Sequence, residues 1–205
     1  LTGPGVFGNR IEGNFIGTDL TGTIDLGNSI NGVGMDNGAS FNTIGGVAAG
    51  AGNLISGNHG GVRIVTEGTV GNTVEANLIG TDVTGTADLG NTEYGVLIDF
   101  DASRNTIGGT SEASRNVISG NDGQGVRIAV RASFNQVSGN FIGTDVTGSV
   151  ALGNLANGVL IDSGSVGNRV GVFEAGAGRG ERGFQVRGVR RRARNPRRRH
   201  GRACA

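Results

Sequence analysis

Apolar residues along this chain come in short alternating runs set off by glycine and asparagine. The motif Gly-Val-x-Ile and its variants recurs at Val33 to Met35, Val62 to Ile64, Val96 to Ile98, Val126 to Ile128 and Val159 to Ile161. Alternation of this kind puts Val and Ile on one face of a strand and the intervening residue on the other. A second pattern keeps step with the first. Asn followed two residues later by Ile or Val occurs at 9, 14, 42, 53, 72, 77, 105, 116, 135, 140 and 168, with gaps of 5, 28, 11 and 19 that repeat. A third marker, Ile-Gly-Thr-Asp, stands at Ile16 to Asp19, Ile79 to Asp82 and Ile142 to Asp145, 63 residues apart each time. A fixed period in a glycine-rich chain predicts a solenoid, in which each coil buries its apolar face only against its neighbours.

The period divides into two coils of three short strands. From 95 to 124 the strands fall at Val96-Leu97-Ile98, Asn105-Thr106-Ile107 and Asn116-Val117-Ile118; from 125 to 157 they fall at Val126-Arg127-Ile128, Asn135-Gln136-Val137 and Asn140-Phe141-Ile142. Corners where Gly or Asn accepts positive φ join them. The expected fold is all-β: a right-handed parallel β-helix of about five to six coils, spaced about 4.8 Å apart, with no helix needed. Like residues then lie above like residues, and corner Asn amides hydrogen-bond to those above and below as an asparagine ladder.

Composition agrees with a thin aliphatic core. With 42 Gly, eight Phe, one Tyr and no Trp, the 205 residues cannot furnish an aromatic one. No apolar run is long enough to span a membrane. The chain opens at Leu1 inside a partial repeat, which suggests an internal segment. Its one cysteine, Cys204, lies outside the repeats, so neither a disulfide framework nor a thiolate metal site is expected there.

The net charge of +1 conceals a split. Residues 1 to 178 hold seven Arg against sixteen acids, whereas 179 to 205 hold eleven Arg against one Glu. The expected domains are therefore a repeat domain over 1–178 and a disordered or irregular Arg-rich tail over 179–205. The tail departs from the repeat where Asn is due at 179. Codons permitted for Gly178 through Phe184, read one base later, can spell Gly-Ala-Gly-Asn-Val-Val-Ser and restore it. A frame error, a basic arm for nucleic acid and an unstructured bystander stay open; no nucleic-acid partner is expected unless the tail is genuine.

Gly52-Asn53-Leu54-Ile55-Ser56-Gly57-Asn58, Asn42-Thr43-Ile44-Gly45-Gly46 and Ile79-Gly80-Thr81-Asp82-Val83-Thr84-Gly85-Thr86 resemble right-handed parallel β-helix repeats of the pectin-lyase-like superfamily. The likeness covers residues 9 to 178. It implies an exported or cell-surface bacterial segment, hence an extracellular or cell-surface location, with polysaccharide or cell-surface glycans as partners. Others of this fold are polysaccharide lyases, hydrolases or epimerases, and fold alone does not choose among them.

Two sets of residues are candidates for chemistry. Asp19, Asp82 and Asp145 recur once per two coils, about 10 Å apart, too far for a retaining carboxylate pair. The second acid of that loop is Asp25 and Asp88 but Ala151 in the third copy, so a calcium site built on both would be missing there. These Asp read as structural turn caps, with ligand binding the alternative. On the outward side of the Gly-Val-x-Ile strand, Asp36, Asp99 and Asp162 alternate with Arg63 and Arg127. Surface ion pairing and a glycan-binding strip both fit this alternation.

Nothing points to a catalytic residue, a metal or a cofactor. His59, the one histidine inside the repeats, reads as an exposed turn residue. The Gly-His-Gly and Arg-Ile-Lys pairing of polygalacturonase-like relatives is absent, as are an Asp-Pro-His motif, Gly-x-Ser-x-Gly and His-Glu-x-x-His. The expected function is a non-catalytic rigid scaffold or adhesive, with a fragment of a polysaccharide-active enzyme as the alternative. Uncapped ends predict end-to-end self-association.

Overall fold

A computed structural model describes residues 1–171 and the strand at 185–186; the rest of the Arg-rich tail, and with it the boundary at 178, lies outside the described residues. The chain winds through six rungs, the first of them partial, making about five full turns. The first rung carries β1 (Arg10–Ile11) and β2 (Phe15–Ile16), and the second β3 (Asn31–Met35), β4 (Thr43–Gly45) and β5 (Leu54–Ile55). The third carries β6 (Gly60–Val65), β7 (Thr73–Glu75) and β8 (Leu78–Ile79), and the fourth β9 (Val96–Asp99), β10 (Thr106–Gly108) and β11 (Val117–Ile118). The fifth carries β12 (Val126–Ile128), β13 (Gln136–Ser138) and β14 (Phe141–Ile142), and the sixth β15 (Val159–Ile161), β16 (Arg169–Val170) and β17 (Gln185–Val186).

Three parallel sheets result. Sheet A is β3-β6-β9-β12-β15, sheet B is β1-β4-β7-β10-β13-β16, and sheet C is β2-β5-β8-β11-β14-β17. Neighbouring strands pair in register: Val62 with Val96, Ile107 with Val137, Ile118 with Ile142. The strands are as expected from alternation, except that the ladder asparagines stand at the corners before them. The one helical element among the described residues is a 3-10 turn at Glu112–Ser114, in a longer corner between β10 and β11. No helix is long and apolar enough to cross a membrane.

The core is a single column of aliphatic side chains, one layer per sheet. Val96, Ile107 and Ile118, from the three sheets of one rung, are each 0% exposed. Burial of each Ile stabilises the fold by about 1.5–3 kcal/mol. So narrow a tube leaves no room where the corner after sheet C meets sheet A. A Cβ on Gly95 would sit 2.6 Å from Ile118 Cγ2 and 2.7 Å from the Gly125 carbonyl oxygen.

Three asparagine ladders brace the corners. The first runs Asn9, Asn42, Asn72, Asn105, Asn135, Asn168, and the second Asn14, Asn53, Asn77, Asn116, Asn140. Beyond the first Asn of each ladder, Oδ1 accepts two donors from the Asn before it: Asn105 Oδ1 takes the main-chain N–H of Asn72 at 2.9 Å and its Nδ2 at 3.0 Å. Asn105 Nδ2 in turn donates to the Thr69 carbonyl at 3.1 Å. A third ladder, Asn28, Asn58, Asn91, Asn121, Asn154, has the same geometry. It escaped the sequence pattern because these Asn lead into a corner and not directly into an Asn-x-Ile strand.

Candidate functional site

The outward side of sheet A places Gly34, Arg63, Leu97, Arg127 and Leu160 in one column, so the two arginines occupy alternate rungs. Asp36, Asp99 and Asp162 open the corner turns that follow. Arg63 Nη1 lies 4.0 Å from Asp36 Oδ2, and Arg127 Nη2 lies 3.3 Å from Asp162 Oδ2. Both arginines therefore reach away from the middle rung. Asp99, 8% exposed, forms no ion pair among the described residues; its Oδ1 accepts the N–H of Phe100 at 2.8 Å. The strip is thus two outer ion pairs framing Leu97 and Asp99.

Four of the five turns beyond the strip have two central residues with positive φ and close by a hydrogen bond between their ends, while the third-rung turn carries positive φ at Thr66 and Gly68 instead. Asn37 and Gly38 (φ 54 and 89), Asp101 (φ 66) and Gly164 (φ 78) suit this conformation. Phe100 (φ 48), Val130 and Arg131 (φ 40 and 62) and Ser163 (φ 52) do not, at about 1–2 kcal/mol per residue. The turns of the fourth and fifth rungs, which hold Phe100 and Asp101 and Val130 and Arg131, are neighbours. Arg131 grips Asp101 with both Nε and Nη2, at 2.9 and 2.7 Å, and this hydrogen-bonded guanidinium lowers the Asp101 pKa.

The Ile-Gly-Thr-Asp loops lie on the corner between sheets C and A. Asp19 Oδ1 accepts the N–H groups of Thr23 and Ile24, both at 3.0 Å, and Oδ2 accepts the Thr21 hydroxyl at 2.7 Å. Asp82 repeats this with Thr86, Ala87 and Thr84, and Asp145 with Ser149, Val150 and Thr147. The Thr21 hydroxyl is the largest influence on Asp19; burial opposes it, the Ile24 and Thr23 N–H groups add to it, and the pKa falls to about 2. At Asp82 and Asp145 burial favours the neutral acid, but the same set of donors outweighs it and both pKa values are lowered. These carboxylates are anchors of their own loops and hold no proton at neutral pH.

Although the loops arise on alternate rungs, they touch. Val83 N–H donates to the Gly22 carbonyl at 3.0 Å and Val146 N–H to the Gly85 carbonyl at 2.9 Å, bridging the intervening rung as a continuous ridge. Their necks are fastened from below by Ser56 and Ser119, which donate to the Thr81 and Thr144 carbonyls, each at 2.7 Å.

His59 is half-exposed on the same corner. Its Nδ1 lies 3.1 Å from Thr92 Oγ1 and its Nε2 3.3 Å from Glu93 Oε2. It lines a depression of about 410 Å³ with Asp25, Asn28 and Thr92. A second depression of about 400 Å³ lies over sheet C between Phe15, Val47, Leu78 and Val83. Neither takes in a residue of the Asp and Arg strip. No group of three or more His, Cys, Asp or Glu able to hold a metal occurs among the described residues.

Sequence reasoning missed where the aromatics go. Five of the six described Phe, namely Phe7, Phe15, Phe41, Phe100 and Phe134, are exposed. Phe41 and Phe134 lie over Gly71 and Gly167 of the next rung, where a Cβ would come within 2.6 Å of the ring. Beside them Thr43, Thr73 and Thr106 stand in register on the outer face of sheet B. The repeated Asn-Thr-Ile and Asn-Thr-Val signalled that column. Compared with protein-family models, characterised proteins and solved structures, the chain finds no match.

Proposed function

We propose that this chain is a non-catalytic, rigid repeat segment of an exported or cell-surface protein, built on a β-helix like that of the pectin-lyase-like superfamily. It serves as a spacer or adhesive surface, and its outward strip of Asp36, Arg63, Asp99, Arg127 and Asp162 contacts glycans. The observation that carries this reading is the use of ionisable groups as internal fasteners. Asp19, Asp82 and Asp145 each accept three internal donors, and Arg63, Arg127 and Arg131 each pair with a carboxylate of a neighbouring rung. General acid–base chemistry needs a group whose proton is free to move. The two ion pairs of the strip are half-buried and Arg131 with Asp101 is the most exposed of the three; pairs at such a surface are worth about 0–1 kcal/mol each and open at little cost to a charged ligand.

A second reading, a fragment of a polysaccharide-active enzyme, is favoured by Asp99 alone, which sits nearly buried at the centre of the strip without an arginine partner among the described residues. Incubation with pectate, alginate and chondroitin, followed for unsaturated and reducing ends, separates the two. The scaffold reading expects no turnover, with weak binding that falls in Arg63→Ala and Arg127→Ala. Turnover abolished by Asp99→Ala would establish the enzyme instead.

A further inference from the structure

Asparagine is sorted in this chain. Sixteen of the described asparagines stand in the ladders, and no ladder asparagine precedes a glycine. The three described asparagines outside the ladders, Asn31, Asn37 and Asn157, are each followed by glycine. The same dipeptide thus occurs in three surroundings.

Two of the three have structural work that holds them. Asn31 belongs to β3, pairs with Gly60, and its Oδ1 accepts the Tyr94 hydroxyl at 2.8 Å. Asn37 and Gly38 form the positive-φ turn that suits Asn-Gly. There the Asn37 N–H donates to Thr66 Oγ1 at 2.6 Å, the Gly38 N–H to Thr69 Oγ1 at 3.1 Å, and Asn37 Nδ2 to Thr2 Oγ1 at 3.2 Å. The nucleophile needed for ring closure at Asn37, the Gly38 nitrogen, is therefore itself engaged. Asn157 is different. It is exposed, has no positive φ, and its side chain makes no hydrogen bond among the described residues.

We propose that Asn157-Gly158 is a site of spontaneous covalent modification, deamidation through a succinimide, with water as co-reactant, and that Asn31-Gly32 and Asn37-Gly38 are spared by their contacts. The Gly158 nitrogen, its proton lost to solvent base, attacks Asn157 Cγ. The Cγ–Nδ2 bond breaks, ammonia leaves, and a five-membered imide remains. Water then adds to one imide carbonyl. Opening at the Cγ–N bond gives aspartate, and opening at the main-chain carbonyl gives isoaspartate, with no oxidation or reduction at any stage. The isoaspartate product lengthens the backbone by one carbon. That extra atom falls where the Asn157 carbonyl accepts the Gly125 N–H and the Gly158 carbonyl accepts the Val126 N–H, both at 2.9 Å. Modification therefore loosens the sixth rung from the fifth.

The test is peptide mapping of the full chain held at mildly alkaline pH, folded and in denaturant, with isoaspartate resolved from aspartate. In the folded chain Asn157 is expected to convert several-fold faster than Asn31 or Asn37, with the three rates converging in denaturant. Asn157→Gln should remove the product while leaving the fold intact. Equal or faster conversion at Asn31 or Asn37 in the folded chain, or conversion only in denaturant, would overturn the proposal.

Discussion

The Tyr94 hydroxyl donates to Asn31 Oδ1 at 2.8 Å across 63 residues, the length of one whole repeating unit. The ring packs where a Cβ on Gly60 would lie 2.6 Å from it, so the side chain passes over the third rung and ties the fourth to the second along the edge of sheet A. Tyr94 is 6% exposed. Tyr94→Phe keeps the ring and orphans the Asn31 acceptor, and chemical denaturation should show a loss of about 1 kcal/mol.

Burial, aided by the Glu93 charge, raises the Tyr94 pKa to about 12. In the unfolded chain the value is near 10. The folded state thus favours the protonated phenol: its contribution is complete below pH 10 and is lost as pH rises from 10 through 12. Because this is the chain's one Tyr and Trp is absent, phenolate absorbance reports it directly. The folded chain should titrate near 12, or unfold first, and Tyr94→Phe should lose less stability over that interval.

Acid acts through the loop carboxylates. Asp19, Asp82 and Asp145 all have folded pKa values below the ordinary 3.8. Their contribution is complete above that value and is lost as pH falls through about 2, the folded value for Asp19. A denaturation series from pH 6 to 2 should show declining stability, with a shallower decline in Asp82→Asn.

Ladder and core positions should differ sharply from the surface. Asn105→Ala leaves the Asn72 N–H buried without its acceptor and takes one of the two acceptors of Asn72 Nδ2, which keeps the Ala39 carbonyl, at about 1–3 kcal/mol for the N–H left unpaired. Ile107→Ala empties a fully buried site and should cost about 2–5 kcal/mol. Leu20→Ala, at a residue 93% exposed, should stay within about 0.5 kcal/mol. Urea midpoints of the three variants check the ranking.

Strain at Val130 offers a substitution of the opposite sign. A β-branched residue at φ 40 is a conformational outlier, while Asn tolerates that region. Val130→Asn should raise stability by about 1 kcal/mol, measured by thermal denaturation.

Sheet register was legible because a stacked fold repeats its demands. Ile107 and Val137 face inward at the same point of successive rungs, and the period is written in the residues that do so. The first two ladders were legible for the same reason, each Asn being tied to an Ile or Val two residues on. Asn58 and Asn121 were not, since their fixed neighbour in space is the Asn of the adjacent rung and their sequence neighbours vary. The reach of Arg63 and Arg127 away from Asp99 was also hidden. Alternating sign gives the order of charges along the strip, but rotamers and the exposure of each carboxylate decide which neighbours pair. Helix-free corners concealed the 3-10 turn at Glu112–Ser114, whose Ser111 cap is a local hydrogen-bond choice without a period.

Thr73 and Thr106 are Cα partners on the outer face of sheet B, 33 residues apart in sequence. Rungs about 4.8 Å apart lie within the range of about 4.4–6.8 Å that a disulfide spans between Cα atoms. The most direct measurement is therefore oxidative cross-linking of Thr73→Cys with Thr106→Cys in a Cys204→Ser background, beside Thr43→Cys with Thr106→Cys, two rungs apart. In-register stacking predicts rapid intramolecular closure of the first pair and none of the second. Failure of the first pair to close, or equal closure of both, would contradict the stacked three-sided tube.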